Sequence, residues 1–322
     1  MIASYQKAFL AYLEENSPKK APHTLYAPVE YILGLGGKRI RPVLALLAAD
    51  AVGGTYEKAL PAAMAVEVFH NFSLVHDDIM DEAPLRRGKA TVHEKWNANT
   101  GILSGDVMLV MAYECLNAYP APLFTELTQL FSRTAREVCE GQQYDMDFPL
   151  QENVSQEEYI EMIRLKTAVL LGCSLQMGAM IGGLTKAESE PFYAFGIQLG
   201  LAFQLQDDYL DAFGDPATFG KQVGGDIIEN KKTLLYLLAL EAAEEQQRSS
   251  LTDWFTSTPA DPAEKIEKVK AIFRATTADT AIKHLMESYT QQALKEVEKF
   301  KISPEKKAAF KRFAMDLMER KL

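Results

Sequence analysis

The chain has 322 residues, of which 48% are apolar and 24% are charged, a balance typical of a globular protein with a sizeable core. Its net charge of −10 argues against general binding to nucleic acid, because a basic surface supplies most of that affinity. The length allows either two domains or one large helical domain, and since no linker-like segment divides the chain, we expect one domain over residues 1–322.

Helical periodicity recurs from one end of the chain to the other, whereas strand alternation does not, so the sequence predicts an all-α fold. Thr252–Glu264 is the most loop-like stretch and is predicted to be a surface excursion. The predicted helices run near residues 2–15, 24–34, 40–53, 57–81, 98–118, 121–142, 155–182, 187–213, 230–246, 261–276, 279–299 and 303–320.

Several features bear on location. The N-terminus has no apolar core and no cleavage pattern, which predicts no export signal. The uncharged span Thr167–Thr185 contains several glycines and polar residues, so a central bundle helix explains it better than a membrane span. Cys115, Cys139 and Cys173 lie in predicted helices without CxxC spacing, and we expect them to be reduced core residues of a cytoplasmic protein.

Two aspartate clusters of the same form each follow a long apolar segment. The first runs from Asp77 to Asp81 (DDIMD) and the second from Asp207 to Asp211 (DDYLD). On a helix the outer aspartates of each cluster share a face, about 6 Å apart along the axis. A solvated face could carry one such cluster, but two copies after buried runs favour a role with Mg²⁺ that bridges to phosphate oxygens.

A glycine turn carries three cations just before a predicted helix. In the segment Gly36–Pro42 (GGKRIRP), Lys38, Arg39 and Arg41 stand where free backbone N–H groups and the helix dipole favour an anion. The segment is not a P-loop, because Arg39 rather than Ser or Thr follows Lys38. The pattern predicts an anion site.

A second basic run, Leu85–Lys89 (LRRGK), follows the first aspartates within one short loop. Alone it could be a solvated charge run. Beside a carboxylate cluster we interpret Arg86 and Arg87 as a phosphate clamp, because arginine can bind phosphate oxygens through two N–H groups at once.

These motifs occur in a recognisable order: GGKRIRP, DDIMD, LRRGKATVH, LKTA, FQLQDDYLD and FGKQVGGDIIENKKTL. The chain resembles the all-trans prenyl diphosphate synthases of the polyprenyl synthetase family over essentially its whole length. The resemblance implies an isoprenoid synthase-type all-α bundle around a central elongated cavity, normally a homodimer. The implied activity is a Mg²⁺-dependent transfer of dimethylallyl, geranyl or farnesyl groups from allylic diphosphates to isopentenyl diphosphate.

The resemblance also implies roles for individual residues. Three Mg²⁺ ions would bind with the substrate at Asp77, Asp81 and Asp207. The implied catalytic set adds Asp78, Asp208, Asp211, Lys166 and Lys221. The allylic diphosphate would be held by Arg86, Lys166, Thr167, Gln204, Lys221 and Lys231. Isopentenyl diphosphate would be held by Lys38, Arg41, His70 and Arg87.

The implied chemistry agrees with the residue types. Cleavage of the allylic C–O bond leaves a diphosphate with growing negative charge, which cations would stabilise in the transition state. The double bond of isopentenyl diphosphate would then attack the allylic cation, and exclusion of water would favour condensation over hydrolysis. The sequence contains no obvious protein base, so the family implies that the departing diphosphate takes the final proton. We interpret His76 as structural and His93 as a loop or N-cap partner.

Product length is predicted from the turn that precedes the first cluster. Phe72 and Ser73 stand five and four residues before Asp77, so their side chains should point along the path of the growing prenyl tail. In the family, two aromatic residues at these positions accompany C15 products and two small residues accompany long chains. One of each favours geranylgeranyl diphosphate (C20), with farnesyl diphosphate (C15) as the alternative.

Two alternatives belong to other classes. A class I terpene cyclase would share the aspartate-rich Mg²⁺ site, but Lys38, Arg41 and Arg87 count against it because a cyclase needs no second basic pocket. A non-catalytic subunit of a hetero-oligomeric synthase would have lost aspartates from one cluster, and both clusters are intact here.

Overall fold

A computed structural model describes residues 2–215, 223–257 and 262–319 of the chain. The all-α prediction is confirmed, since the only sheet in these ranges is a two-residue hairpin, β1 (Leu85–Arg86) with β2 (Lys89–Ala90). The first helices are α1 (Ile2–Asn16), α2 (His23–Gly34), α3 (Ile40–Ala51), α4 (Leu60–Met80), α5 (Val92–Lys95), α6 (Ala98–Cys115) and α7 (Leu123–Asp147). The central helices are α8 (Gln156–Ile163), α9 (Val169–Ile181) and α10 (Lys186–Phe213). The last are α11 (Gly225–Ile228), α12 (Leu234–Ala242), α13 (Glu245–Thr256), α14 (Pro262–Ala275), α15 (Ala278–Glu298) and α16 (Pro304–Met318).

The backbone contacts divide the chain into two compact units. The first contains the described residues up to Arg136 together with Leu170–Tyr193 and Lys301–Ser303. The second contains Glu137–Val169, Ala194–Phe300 and the described residues from Pro304 onward. The expectation of one domain over the whole chain stays a prediction.

In the first unit, α4 packs along α6 and against α3. Nearly every side chain of α3 is buried, as its almost uninterrupted apolar sequence requires. Glycines allow close helix approach: a Cβ on Gly178 of α9 would lie 2.1 Å from the Ala45 carbonyl oxygen of α3. The long buried helix α4 ends at Met80, and the first aspartate cluster lies in its last turn.

In the second unit, the core is formed by apolar faces of α8, α10 and α12 to α15. Leu205, Leu234, Phe273 and Ile282 are among its fully covered members. Ser155 and Glu158 form a capping box that starts α8, with the Ser155 hydroxyl accepting from the Glu158 N–H at 3.1 Å. This core supports the C-terminal part of α10, where the second aspartate cluster lies.

Several predicted boundaries are wrong. In place of the predicted helix 230–246 the structure has the shorter helix α12. A separate helix, α13, follows and extends to Thr256, into the stretch Thr252–Glu264 that was predicted to be a loop. The capping box of Glu244 and Gln247 starts this helix. The predicted helix 155–182 is interrupted by one π-helical turn, Arg164–Ala168. Three-residue or four-residue 3₁₀ turns also occur at Tyr56–Ala59, Leu116–Ala118 and Phe148–Leu150.

The expectations about cysteines and membrane spans have mixed outcomes. Cys115, Cys139 and Cys173 are free thiols. Only Cys173 is buried, and the expectation of a core position is wrong for Cys139, which is exposed. None of the helices in the described ranges has the length and apolar character needed to cross a bilayer, and this includes α9, which covers Val169–Ile181 of the uncharged span.

Candidate active site

The glycine turn before α3 adopts a backbone that favours glycine. Gly36 and Gly37 have φ of 79° and 121°, and Arg39 is left-handed with φ of 52°. A Cβ on Gly37 would lie 2.9 Å from the guanidinium carbon of Arg87, and Arg87 Nη1 donates to the Gly36 carbonyl oxygen. The turn and the hairpin arginine are therefore in direct contact.

Arg41 and His70 form the next part of this basic pocket. Arg41 Nη1 lies 3.2 Å from His70 Nε2. Burial, and then the positive charge of Arg41, hold the pKa of His70 well below its usual value, so His70 is neutral near pH 7 and can accept from Arg41. Burial and the charge of Arg39 likewise lower the pKa of Arg87. A concentration of positive charge strong enough to shift its own members is what an anion site requires.

The third cation of the turn behaves differently. Arg39 is buried, and it donates to Glu67 of α4 and to the Leu33 carbonyl oxygen at the end of α2. The sequence indicated three cations at the anion site. The structure places Lys38 in an exposed position on the turn and turns Arg39 away into a buried ion pair.

The hairpin after α4 presents its two arginines in different directions. Arg87 and Gly88 have φ of 53° and 72°, which is the backbone of a two-residue type I′ hairpin turn. The Tyr31 hydroxyl donates to the Ala90 carbonyl oxygen at 2.7 Å and ties β2 to α2. Arg87 thus reaches the glycine turn while Arg86 points to the aspartates.

Arg86 binds the first aspartate cluster. Its Nε lies 2.8 Å from both carboxylate oxygens of Asp78, and its Nη2 lies 3.3 Å from Asp77 Oδ2. Asp78 is buried; burial raises its pKa, and the hydrogen bond from Arg86 opposes the rise. This geometry suits Asp78 to a supporting role. Asp81 caps the end of α4, its N–H donating to the Asp77 carbonyl oxygen at 2.9 Å.

The second unit contains a cavity of about 150 Å³ beside the C-terminal part of α10. Its walls bring together most of the residues that the sequence assigned to the allylic diphosphate, along with others that it did not. The lining side chains are Asp145, Phe148, Pro149, Tyr159, Met162, Ile163, Lys166, Thr167, Gln204, Asp208, Asp226, Lys231, Lys232 and Thr233.

Asp208 lies in the wall of this cavity and is buried. It accepts from the Tyr159 hydroxyl at 2.6 Å and from the Gln204 amide at 3.0 Å. Burial and the neighbouring charge of Asp226 raise its pKa to about 8. Burial, together with Asp208, raises the pKa of Tyr159 well above its usual value. Asp208 therefore belongs to a hydrogen-bonded wall, in which burial and Asp226 disfavour its ionised form.

The π-helical turn presents Lys166 and Thr167 to the same cavity. Lys166 Nζ lies 2.6 Å from Asp145 Oδ2, and the Thr167 hydroxyl donates to Gln204 Oε1 at 3.1 Å. The turn fits closely against α7, because a Cβ on Gly141 would lie 2.3 Å from the Lys166 nitrogen. Helical turns of this kind often occur at functional sites.

The remaining members of the second cluster and the basic turn after α11 belong to the same compact unit. Asp211 Oδ2 accepts from the Asp226 N–H at 3.0 Å, while Asp207 is partly buried one turn earlier. Lys231 lines the cavity and pairs with Glu229 at 2.8 Å. Lys221, assigned by resemblance to the allylic diphosphate, lies outside the described residues.

The sequence did not identify five of the polar cavity residues: Asp145, Tyr159, Asp226, Lys232 and Thr233. Asp145 lies near the end of α7, four residues after Gly141 and two before Asp147, and nothing in this spacing separates it from a solvated carboxylate. Asp226 follows the glycine pair of GGD, but its pairing with Asp211 depends on tertiary contact.

Phe72 lies in an aromatic cluster below the first aspartates. Its ring centroid is 5.5 Å from that of Phe69 and 4.8 Å from that of His76, and Phe69 contacts Phe131 at 5.4 Å. His76 Nε2 lies 3.1 Å from the Ile102 carbonyl oxygen, as its structural interpretation requires. The Ser73 hydroxyl donates to the His70 carbonyl oxygen at 2.8 Å, so only the phenyl ring is bulky at this level.

The side chains present fit a Mg²⁺ ion that substrate phosphate oxygens help to coordinate. Among the described residues no three carboxylate, histidine or cysteine groups converge closely enough to hold a metal ion by themselves. Mg²⁺ is commonly held by one or two carboxylates, waters and phosphate oxygens, and both clusters offer carboxylate oxygens beside basic side chains.

Comparison with known proteins agrees with this site. The Polyprenyl synthetase family model matches residues 22–276. The chain is 39% identical to a geranylgeranyl pyrophosphate synthase of Geoglobus acetivorans, over 91% of this chain and 90% of the relative. It is 36% identical to a geranylgeranyl diphosphate synthase of Methanosarcina mazei, over 92% and 90%.

Solved structures show the same fold. A crystal structure of a geranylgeranyl pyrophosphate synthase matches with a TM-score of 0.96 and 52% identity, over 100% of this chain and 99% of that one. The Corynebacterium glutamicum geranylgeranyl pyrophosphate synthase, solved with isoprenyl diphosphate and magnesium, matches with a TM-score of 0.85 and 29% identity, over 99% and 98%. Family match, identity and fold together make this chain a member of the polyprenyl synthetase family, an all-trans prenyl diphosphate synthase with the all-α isoprenoid synthase fold.

Proposed function

We propose that the chain condenses isopentenyl diphosphate with an allylic diphosphate to give geranylgeranyl diphosphate. One observation carries the proposal: each compact unit contains its own set of basic side chains beside an aspartate cluster. One set surrounds the glycine turn, and the other lines the cavity beside α10. Two polyanionic substrates need two such sets, and a prenyl transfer between two diphosphates uses both.

We infer that the basic pocket of the first unit receives isopentenyl diphosphate. Arg41, Arg87 and Lys38 would bind the diphosphate oxygens, while neutral His70 orients Arg41. This group would bind and orient the substrate through its diphosphate.

The allylic diphosphate would be held by the cavity of the second unit, and Arg86 is proposed as a further contact from resemblance alone. Lys166, already oriented by Asp145, and Lys231 would bind its oxygens, and Lys221 is proposed from resemblance alone. The Thr167 hydroxyl donates to the Gln204 carbonyl oxygen, so by exchanging that partner Thr167 could donate its O–H to a diphosphate oxygen, and the Gln204 amide could donate an N–H. Charge that develops on the leaving diphosphate would meet these cations, which accelerates ionisation.

Asp77, Asp81 and Asp207 are the proposed Mg²⁺ ligands, with Asp78, Asp208 and Asp211 in support. When bound, Mg²⁺ would neutralise the diphosphate oxygens and stabilise the charge that the leaving group gains. We propose three ions per substrate-bound site, from the resemblance. Arg86 binds both oxygens of Asp78 and also contacts Asp77, so Asp77 and Asp81 are proposed as ligands from the resemblance and from their outer positions in the cluster.

The proposed C20 product is supported by the relatives and by the aromatic cluster. Relatives named geranylgeranyl synthases match over 90% or more of this chain. The ring of Phe72, in contact with Phe69 and His76, is the proposed floor for the growing tail, and the smaller Ser73 would leave space beside it. Farnesyl diphosphate stays the alternative, since a relative named farnesyl diphosphate synthase, from Mycobacterium bovis, is 40% identical over 62% of this chain.

We also propose a homodimer in the cytoplasm. Helix α6 exposes large apolar side chains, with Ile102, Leu103 and Val110 each about half accessible. Leu103 and Val110 are seven residues apart and share one face, which suits a self-complementary contact with a second copy. The three free thiols are typical of a reducing compartment.

The test is whether diphosphate release depends on isopentenyl diphosphate. Purified protein with Mg²⁺ is incubated with geranyl or farnesyl diphosphate, with and without isopentenyl diphosphate, and the released diphosphate and organic products are measured. A synthase releases one diphosphate for each isopentenyl diphosphate consumed. Release of cyclised hydrocarbon without isopentenyl diphosphate would identify a terpene cyclase, and no turnover by the pure protein would favour a non-catalytic subunit.

A further inference from the structure

A buried ion pair lies behind the basic pocket of the first unit. The side chains of Arg39 and Glu67 are 1% and 3% exposed, so neither is accessible to a diphosphate. Arg39 donates through Nη1 to Glu67 and through Nη2 to the Leu33 carbonyl oxygen. One guanidinium therefore connects the glycine turn to both α2 and α4.

The glutamate end of the pair is also fixed. The Asn71 amide donates to Glu67 Oε1 at 3.1 Å and to the Glu67 carbonyl oxygen at 2.8 Å. Glu67 stands one helical turn before His70 on α4, so a contact at Glu67 sets the position of the turn relative to His70.

The arginine end lies between the residues that would bind substrate. Arg39 follows Lys38 and is two residues before Arg41, and its left-handed backbone is an arrangement that a non-glycine residue adopts only when its surroundings hold it. Arg87 contacts the same turn at Gly36 from the hairpin. The turn is thus held on one side by a buried ion pair and on the other by a pocket arginine.

We propose that the Arg39–Glu67 ion pair positions the isopentenyl diphosphate pocket, setting Lys38 and Arg41 against His70 and Arg87 without touching substrate. The proposal rests on the function proposed for this pocket. A stability role alone explains the pair poorly, because buried ion pairs contribute little net stability and Arg39 Nε has no hydrogen-bond partner among the described residues.

Charge and position make opposite predictions for one variant. Glu67→Gln removes a negative charge behind the pocket while keeping the size of the side chain. If the pocket responded to its total charge, isopentenyl diphosphate would bind more tightly, because Arg39 would no longer be neutralised. If the ion pair positions the turn, the same change loosens Lys38 and Arg41, and binding weakens.

The experiment measures KM for isopentenyl diphosphate, KM for the allylic diphosphate and kcat for the wild type, Glu67→Gln and Arg39→Lys. We expect Glu67→Gln to raise KM for isopentenyl diphosphate about tenfold, with the allylic KM within about twofold and kcat within about threefold. Arg39→Lys keeps the charge but loses the two-pronged contact, so it should give a smaller rise in the same constant. Thermal unfolding of each variant is recorded in parallel.

A matched control is Glu298→Gln, the same chemical change at an exposed ion pair with Lys311 in the second unit. Its kinetic constants should equal those of the wild type. If Glu67→Gln does not fold, Asn71→Ser takes its place, because it keeps the ion pair and removes only the hydrogen bond from Asn71 to Glu67. It should raise KM for isopentenyl diphosphate selectively, but by less than Glu67→Gln.

Three results would overturn the proposal. An unchanged or lower KM for isopentenyl diphosphate in Glu67→Gln contradicts the positioning role. A fall in kcat with both KM values unchanged also contradicts it, because that is the result expected if the ion pair serves only to stabilise the fold. Arg41→Ala tests the pocket assignment independently of the ion pair. A selective rise in KM for isopentenyl diphosphate in this variant supports the assignment, whatever Glu67→Gln shows. If Arg41→Ala affects neither substrate selectively, the pocket assignment falls and the positioning role falls with it.

Discussion

At the scale of single residues, the sequence identified the two aspartate clusters and the cations of the glycine turn because their chemistry is visible in residue type and spacing. It could not distinguish Arg39 from its neighbours. Three adjacent basic residues look alike in a sequence, and only the approach of Glu67 from α4 shows that one of them is turned inward. Asp208 was likewise grouped with its cluster, although burial and Asp226 give it a pKa of about 8.

The aspartates give the first prediction. Asp77→Ala or Asp207→Ala should lower kcat by about a thousandfold or more while the far-UV circular dichroism and the thermal midpoint stay close to those of the wild type, because charge stabilisation in the transition state is lost. Asp316→Ala, an exposed aspartate on α16, is the control and should leave kcat unchanged. Near-normal turnover of both cluster variants would remove the metal-binding assignment.

His70 gives a prediction about pH. Its pKa is lowered in the folded chain by burial, by Arg41 and by the other nearby arginines, so the unfolded chain binds a proton there that the folded chain does not. The stabilising effect is complete above the ordinary pKa of about 6.5 and is lost as the pH falls below it, at up to about 1.4 kcal/mol per pH unit.

His70→Gln should therefore flatten the loss of unfolding free energy between pH 7 and pH 5, measured by urea denaturation. Exposed His284 supplies the control, His284→Gln, which should keep the wild-type slope. Parallel slopes for the wild type and His70→Gln would show that the pKa of His70 is not lowered in the folded chain.

At the scale of elements, periodicity predicted nearly all long helices, because their buried faces require apolar residues at helical spacing. The failures have local causes. Helix α13 has few apolar residues and is started by a glutamate capping box, so its sequence looks like a loop. The π-helical turn adds one residue to a continuous apolar pattern and depends on contact with Gly141 of α7.

Close helix packing gives a prediction at this scale. Gly178→Ala should lower the free energy of unfolding by about 1 to 3 kcal/mol, because the new methyl group meets the Ala45 backbone, which cannot move aside as a side chain could. Gly34→Ala, at the exposed end of α2 with no atom within 4 Å of the added carbon, should change stability by at most about 1 kcal/mol. Equal stability of the two variants in denaturant titration would contradict the close contact between α3 and α9.

At the scale of the whole molecule, the family and its all-α fold follow from motif order, which is a property of the full sequence. The assembly state cannot be deduced in this way, since surface apolar residues have several causes. The proposed homodimer predicts that Leu103→Glu on α6 shifts the protein to monomer in sedimentation velocity. Met315→Glu, an equally drastic change at an exposed methionine of α16, should leave the dimer intact. A wild-type protein that is monomeric at micromolar concentration would contradict the proposal.

The most direct test of the account is the length of the product made by the wild type and by Phe72→Ala from dimethylallyl diphosphate, isopentenyl diphosphate and Mg²⁺, measured by mass spectrometry. Because the Phe72 ring, supported by Phe69 and His76, is the proposed limit to chain growth, the wild type should yield mainly the C20 diphosphate. Removal of the ring should extend the main product by at least one C5 unit. A wild-type product of C15, a product longer than C20, or the same product from both proteins would contradict the assignment.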